Sequence, residues 1–135
     1  MPHILVVEDD WKTYELFCIL LEADGYEVSV AQDALSALAV LCDDSLPGLI
    51  ILDVMLPEMD GIALCEAIRA QNSTAEIPIL MVSAKIDLQS QREGLAAGAN
   101  AYLVKPVLKN DLLAKVRTLL VPFPTRAKAP DFFRE

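Results

Sequence analysis

Five short apolar runs punctuate the chain, at Ile4–Val7, Tyr26–Val30, Leu49–Leu52, Ile77–Val82 and Tyr102–Val104, and each has the length and composition of a strand. Between them apolar residues recur at helical spacing, as at Tyr14, Phe17, Cys18 and Leu21, or at Leu35, Leu38, Ala39 and Cys42. Strand and helix therefore alternate, and connections too short for a second layer of strands imply a parallel sheet covered by helices on both faces. Leu49-Ile50-Ile51-Leu52 and Ile79-Leu80-Met81-Val82 are apolar throughout, as central strands buried on both sides should be. Tyr26-Glu27-Val28-Ser29-Val30 alternates instead, which suits a strand near an edge with one solvated face.

The punctuation between elements agrees with this. Gly25 and Gly98 fall just past the first and fourth helical patterns, where a left-handed cap is wanted. Asp33 suits the N-cap of the second helix, and Pro47-Gly48 marks the turn into the third strand. At 135 residues one core is expected. The chain is 54% hydrophobic, yet no apolar run approaches membrane-spanning length. Met1-Pro2-His3 carries no basic region, and the apolar stretch behind it stops at Glu8, so no signal peptide and a cytoplasmic location are expected. A net charge of -9 argues against direct nucleic-acid binding, which relies on Lys and Arg to neutralise phosphates. Cys18, Cys42 and Cys65 lack metal-ligand spacing and read as buried free thiols.

The texture changes after Leu120. Pro122, Pro124 and Pro130 fall within residues 121–135, which reads as a proline-rich tail or the start of a linker, in preference to an arm that docks on a partner. Residues 1–120 form the folded domain on this reading.

The residues just past the strands carry the chemistry. The first run ends in Glu8-Asp9-Asp10, the third in Asp53, the fourth in Ser83 and the fifth in Lys105-Pro106. In an open parallel sheet the carboxyl ends of the strands share one edge, and ligands bind where the strand order reverses. Carboxylates gathered there repel one another unless a cation joins them, and an all-oxygen acidic set suits a hard ion such as Mg²⁺. With the ion in place one carboxylate can act as a nucleophile toward a phosphoryl group. Asp53 stands alone after four aliphatic residues and is the candidate. Lys105 and the Ser83 hydroxyl would then face phosphoryl oxygens. Taken singly, each of these residues also suits a cap, a turn or a solvated loop; only their joint placement points to a site.

These motifs resemble the receiver domains of two-component response regulators over residues 3 to about 120. Ile4-Leu5-Val6-Val7-Glu8-Asp9-Asp10 is similar to the first strand and acidic pair of that family. Leu52-Asp53-Val54-Met55-Leu56-Pro57-Glu58-Met59-Asp60-Gly61 is similar to its phosphorylation segment. Pro78–Ala84 and the pair Gly98-Ala99 followed by Tyr102-Leu103-Val104-Lys105-Pro106 match its last two strands. The resemblance implies a doubly wound, flavodoxin-like α/β fold with five parallel strands in the order 2-1-3-4-5 and helices on both faces. It implies a regulatory phosphoacceptor, not an enzyme beyond Mg²⁺-dependent self-phosphorylation and autodephosphorylation. Asp53 would take the phosphoryl group from a sensor histidine kinase, a phosphotransfer protein or a small donor such as acetyl phosphate. Glu8, Asp9, Asp53 and the backbone carbonyl of Met55 would hold Mg²⁺, with Glu8 acting mainly through water. Lys105 would pair with the phosphoryl group, and its bond to Pro106 would be cis. Ser83 and Tyr102 would form a switch that changes the face made by the fourth helix, fifth strand and fifth helix. That face would meet a downstream effector domain or protein, or a second copy in a phosphorylation-dependent homodimer; no membrane is implied. Met55 and Lys85 would border the attacking water and affect the lifetime of the phosphorylated state.

In the winged-helix transcription-factor branch acidic residues follow Gly-Ala in this segment and pair across a dimer. Asn100 and Ala101 stand there instead, although Asp111, Lys115 and Arg117 keep charge on the fifth helix. A haloacid-dehalogenase-like phosphatase would want an Asp where Met55 stands, and a P-loop would want a glycine-rich loop with a Lys. A flavin binder of similar topology would bring its phosphate against repelling carboxylates. A receiver that signals without phosphorylation disagrees with the full set of site residues.

Overall fold

The computed structural model describes residues 2–120; the proline-rich segment 121–135 lies outside the described residues. Strands and helices alternate as β1 (His3–Val7), α1 (Trp11–Ala23), β2 (Glu27–Ala31), α2 (Ala34–Leu41), β3 (Leu49–Asp53), α3 (Gly61–Ala70), β4 (Ile79–Ser83), α4 (Leu88–Ala96), β5 (Ala101–Val104) and α5 (Lys109–Leu119). All neighbouring strands pair in parallel, in the order β2-β1-β3-β4-β5. Because side chains alternate across a strand, each central strand feeds two cores. Leu5, Val7, Ile50, Leu52, Ile79 and Met81 meet α2 and α3 on one face. Ile4, Val6, Leu49, Ile51, Leu80 and Val82 meet Phe17 and Leu21 of α1 and Leu112, Leu113 and Val116 of α5 on the other. Every residue of β3 and β4 is buried, which is why those runs carry no polar alternation.

Helix starts follow local capping chemistry. Asp10, Asp33, Asp60 and Asp87 sit in extended backbone and accept from the N–H three residues on, satisfying donors that an α-helix leaves orphaned. Gly25 and Gly98 take φ of 97° and 119° past α1 and α4, as expected of cap residues.

Three expectations change. The second helix does not bury Leu35, Ala39 and Cys42. Leu35 is 68% exposed, and Ala34, Ala37 and Leu41 face the sheet instead. The helix is apolar almost all round, so several faces fit the sequence; the Asp33 cap sets its rotation, and the small alanines allow close approach. The same rotation exposes Cys42 at the helix end, while Cys18 is half-buried and only Cys65 is buried among the free thiols. The fourth strand begins at Ile79, not Ile77, because Pro78 has no N–H to give a ladder, and the Ile77 carbonyl is taken by Arg69.

That arginine joins two loops, the α3–β4 and the α4–β5 connections. From α3, Arg69 donates through Nε to the Gly98 carbonyl (3.0 Å) and through Nη1 to the carbonyls of Ala75 (3.1 Å) and Ile77 (2.7 Å). Nη2 reaches Asn100 Oδ1 at 3.0 Å, which also accepts the Ile79 N–H at 2.8 Å. Asn100 is thus tied to the start of β4 and does not project across α4, β5 and α5. Arg117 likewise points away from that face, forming a two-pronged pair with Asp24 beyond α1 at 2.9 and 3.1 Å.

Candidate functional site

The strand order reverses between β1 and β3, so the loops after these strands diverge and leave a crevice at their carboxyl ends. β1 delivers Glu8 and Asp9 there and β3 ends on Asp53. Glu8, Asp9 and Asp53 each offer a carboxylate oxygen, all within 4.8 Å of one another. Glu8 and Asp53 are 2% and 5% exposed, while Asp9 is open to solvent. Lys105, just beyond β5, reaches across: its Nζ lies 2.8 Å from Glu8 Oε1 and 3.2 Å from Asp53 Oδ2. The other Asp53 oxygen, Oδ1, accepts the Met55 N–H at 3.0 Å.

Burial, the hydrogen bonds and the neighbouring charges divide this cluster electrically. Burial pushes the Glu8 carboxyl up to about 7, and the nearby Asp53 charge adds to the rise, against the lowering effect of the Lys105 hydrogen bond. Burial alone would lower the Lys105 ammonium. Its bond to Glu8 and the charge of Asp53 outweigh that and raise it above its ordinary value. One ammonium therefore leaves three carboxylates short of positive charge. An all-oxygen, acidic, partly open donor set of this kind fits a hard divalent cation such as Mg²⁺ better than a thiophilic metal.

The site is shaped by what flanks it. Gly61, the first residue of α3, donates its N–H to the Val54 carbonyl at 2.7 Å. A Cβ at Gly61 would collide with the Asp53 carbonyl oxygen and come within 2.7 Å of Val54 Cα. The glycine thus permits the close approach of α3 to the strand end that carries Asp53. Ser83 ends β4, is wholly buried, and stands one step past Val82, the register partner of Asp53. Its Oγ accepts the Lys85 N–H at 3.1 Å. Tyr102 lies apart from the carboxylates, and its hydroxyl donates to the Lys85 carbonyl at 3.1 Å. The Lys105-Pro106 bond is cis. A cavity of about 410 Å³ opens beside Asp9, lined among others by Met55, Pro57, Asp60, Lys85 and Glu93. Trp11 is the exposed first residue of α1, next to the acidic cluster.

The sheet order and the gathering of Glu8, Asp9, Asp53 and Lys105 define a doubly wound α/β domain with an acidic, lysine-bridged pocket at its topological switch point. Residues 4–117 match the response regulator receiver domain, and the chain belongs to that family. It is 43% identical over 122 residues to the DNA-binding dual master transcriptional regulator RpaA of Synechocystis sp., a match covering 89% of this chain and 49% of that protein. It is 38% identical over 132 residues to response regulator MprA of Mycobacterium sp. (strain KMS), covering 97% of this chain and 54% of that one. The chain thus spans about half the length of these relatives. Among solved structures, the Vibrio cholerae chemotaxis protein CheY4 superposes with a TM-score of 0.84 at 33% identity, covering 89% of this chain and 99% of that one. Receiver domains of this family are regulatory modules of two-component systems. Among the described residues no helix is long and apolar enough to cross a membrane.

Proposed function

We propose that the chain is a phosphorylation-dependent switch in which Asp53 accepts a phosphoryl group from a histidine kinase or phosphotransfer protein. The observation that carries this reading is the Lys105 ammonium held between Glu8 and Asp53 at 2.8 and 3.2 Å, with Asp9 beside them. An Asp53 carboxylate oxygen forms the new bond to phosphorus. The bond from phosphorus to the donor nitrogen breaks, and its electron pair leaves with the donor, which then takes up a proton. Asp53 Oδ1 is oriented by the Met55 N–H, which leaves Oδ2, on the Lys105 side, as the attacking atom. Lys105 neutralises charge on the transferred group, and the Ser83 hydroxyl, whose Oγ accepts the Lys85 N–H, donates its own O–H to a phosphoryl oxygen.

Glu8, Asp9, Asp53 and the Met55 carbonyl are the residues that would hold Mg²⁺, which when bound would offset the negative charge of the phosphoryl oxygens. Tyr102 passes the change to α4, β5 and α5, the face that would meet an effector domain or protein. Residues 1–120 would form this receiver unit. The chain has no direct contact with nucleic acid on this reading; the DNA-binding described for RpaA is assigned to the part of that protein outside the match.

The test is incubation with acetyl phosphate, or beryllofluoride with Mg²⁺, followed by intact mass and spectral change. Asp53→Asn should abolish both. An adduct of equal yield in the variant would refute the assignment.

A further inference from the structure

The buried residue of α4 is a glycine. A Cβ built on Gly94 would lie 2.6 Å from Met81 Sδ, 3.3 Å from Tyr102 Cδ2 and 3.4 Å from Tyr102 Cε2. The Tyr102 ring therefore lies against the space that the absent side chain leaves, and from there its hydroxyl reaches the Lys85 carbonyl at 3.1 Å. Resting on the reading of Asp53 as phosphoacceptor and Tyr102 as its responding ring, we propose that Gly94 is the positioning residue of Tyr102. Its missing side chain creates the inward station of the ring, and with it the link from the Ser83 loop to the outer face.

The consequence of filling that station depends on which neighbour can yield. Met81 is wholly buried in the core of α2 and α3, and close packing leaves it no empty volume to enter. Tyr102 is only partly buried, on the edge strand β5, and rotation about its χ1 bond carries the ring toward solvent. The thioether, the nearest atom at 2.6 Å, can yield only toward the ring, so the tyrosine gives way to it, loses the Lys85 carbonyl and leaves its station. Asp53 is not among the nearest neighbours of a methyl at Gly94, which belong to Met81 and Tyr102.

The experiment is Gly94→Ala, a substitution that favours the helix itself, in protein labelled with 3-fluorotyrosine. The three tyrosines give separate fluorine signals, and Tyr102→Phe identifies the relevant one. The Tyr102 signal should move and its solvent isotope shift should rise, with Tyr14 and Tyr26 unchanged. On adding beryllofluoride and Mg²⁺ the variant should still form the Asp53 adduct, while the change that the adduct causes in the wild-type Tyr102 signal should be largely lost. An unmoved Tyr102 signal, with Met81 displaced instead, overturns the proposal. Should the variant fold poorly, melting midpoints decide: Gly94→Ala should lower the midpoint beside Tyr102 and leave it equal or raised in a Tyr102→Ala background. Equal lowering in both backgrounds also overturns it. If wild-type protein forms no adduct, the phosphoacceptor reading fails, while the ring displacement in unmodified protein still tests the role of Gly94.

Discussion

Replacing Lys105 by Met removes the one ammonium between two buried carboxylates and keeps much of the side-chain volume. Breaking a buried ion pair by deleting one partner costs about 3–5 kcal/mol, because the remaining charge is left without compensation. Lys105 is itself 23% exposed, so water enters the vacated space and the lower end, about 3 kcal/mol at pH 8, is expected. At pH 5 the metal-free protein already carries a proton on Glu8, whose carboxyl is pushed up to about 7. The substitution then strands one carboxylate instead of two. The two contacts, 2.8 and 3.2 Å, are nearly equal in length, so the cost should fall by about half, to roughly 1.5 kcal/mol. Thermal and urea unfolding of wild type and variant at both pH values measures this, with a melting difference of about 10 °C expected at pH 8. Mg²⁺ should then stabilise the variant more than the parent, since the variant pocket is more negative; an ion at tenfold its Kd contributes about 1.4 kcal/mol. A loss of stability identical at pH 5 and pH 8 would show that only packing was removed, and would refute the role given to charge.

Two further outcomes rest on the same geometry. Arg69→Ala should lower stability by about 2–4 kcal/mol in urea unfolding, since it strips donors from carbonyls in two loops, and Arg69→Lys should recover less than half because an ammonium lacks the planar fork. In metal-free protein the folded Glu8 holds its proton up to about 7 against an ordinary 4.5, so unfolding in that window releases a proton. The stability that Glu8 contributes is complete below pH 4.5 and is lost as pH rises through about 7. Glu8→Gln should flatten this part of the profile, and an unchanged slope between pH 5 and pH 8 would contradict it.

The convergence of Glu8, Asp9, Asp53 and Lys105 was legible in the sequence for a topological reason. Parallel strands must end on a common edge, so residues that immediately follow apolar runs become neighbours however distant they are in the chain. Asp53 carried a further signal, a charge placed directly behind four aliphatic residues. The rotation of α2 was not legible, because periodicity defines a buried face only when the opposite face is polar. Arg69 looks like any solvated cation on an amphipathic helix, and all its acceptors but Asn100 Oδ1 are main-chain carbonyls that no residue identity announces. Gly94 gives no local sign either, since its role depends on a ring and a thioether from two other strands.

Lys85 joins Ser83 to Tyr102 through its own main chain: the N–H binds the buried hydroxyl and the carbonyl binds the ring hydroxyl. No side-chain replacement at position 85 can sever that relay, with proline, which has no N–H, the exception. If Asp53 takes the phosphoryl group as proposed, the exposed side chain at this position can be exchanged to alter the neighbouring cavity while the main-chain bonds beneath it stay in place.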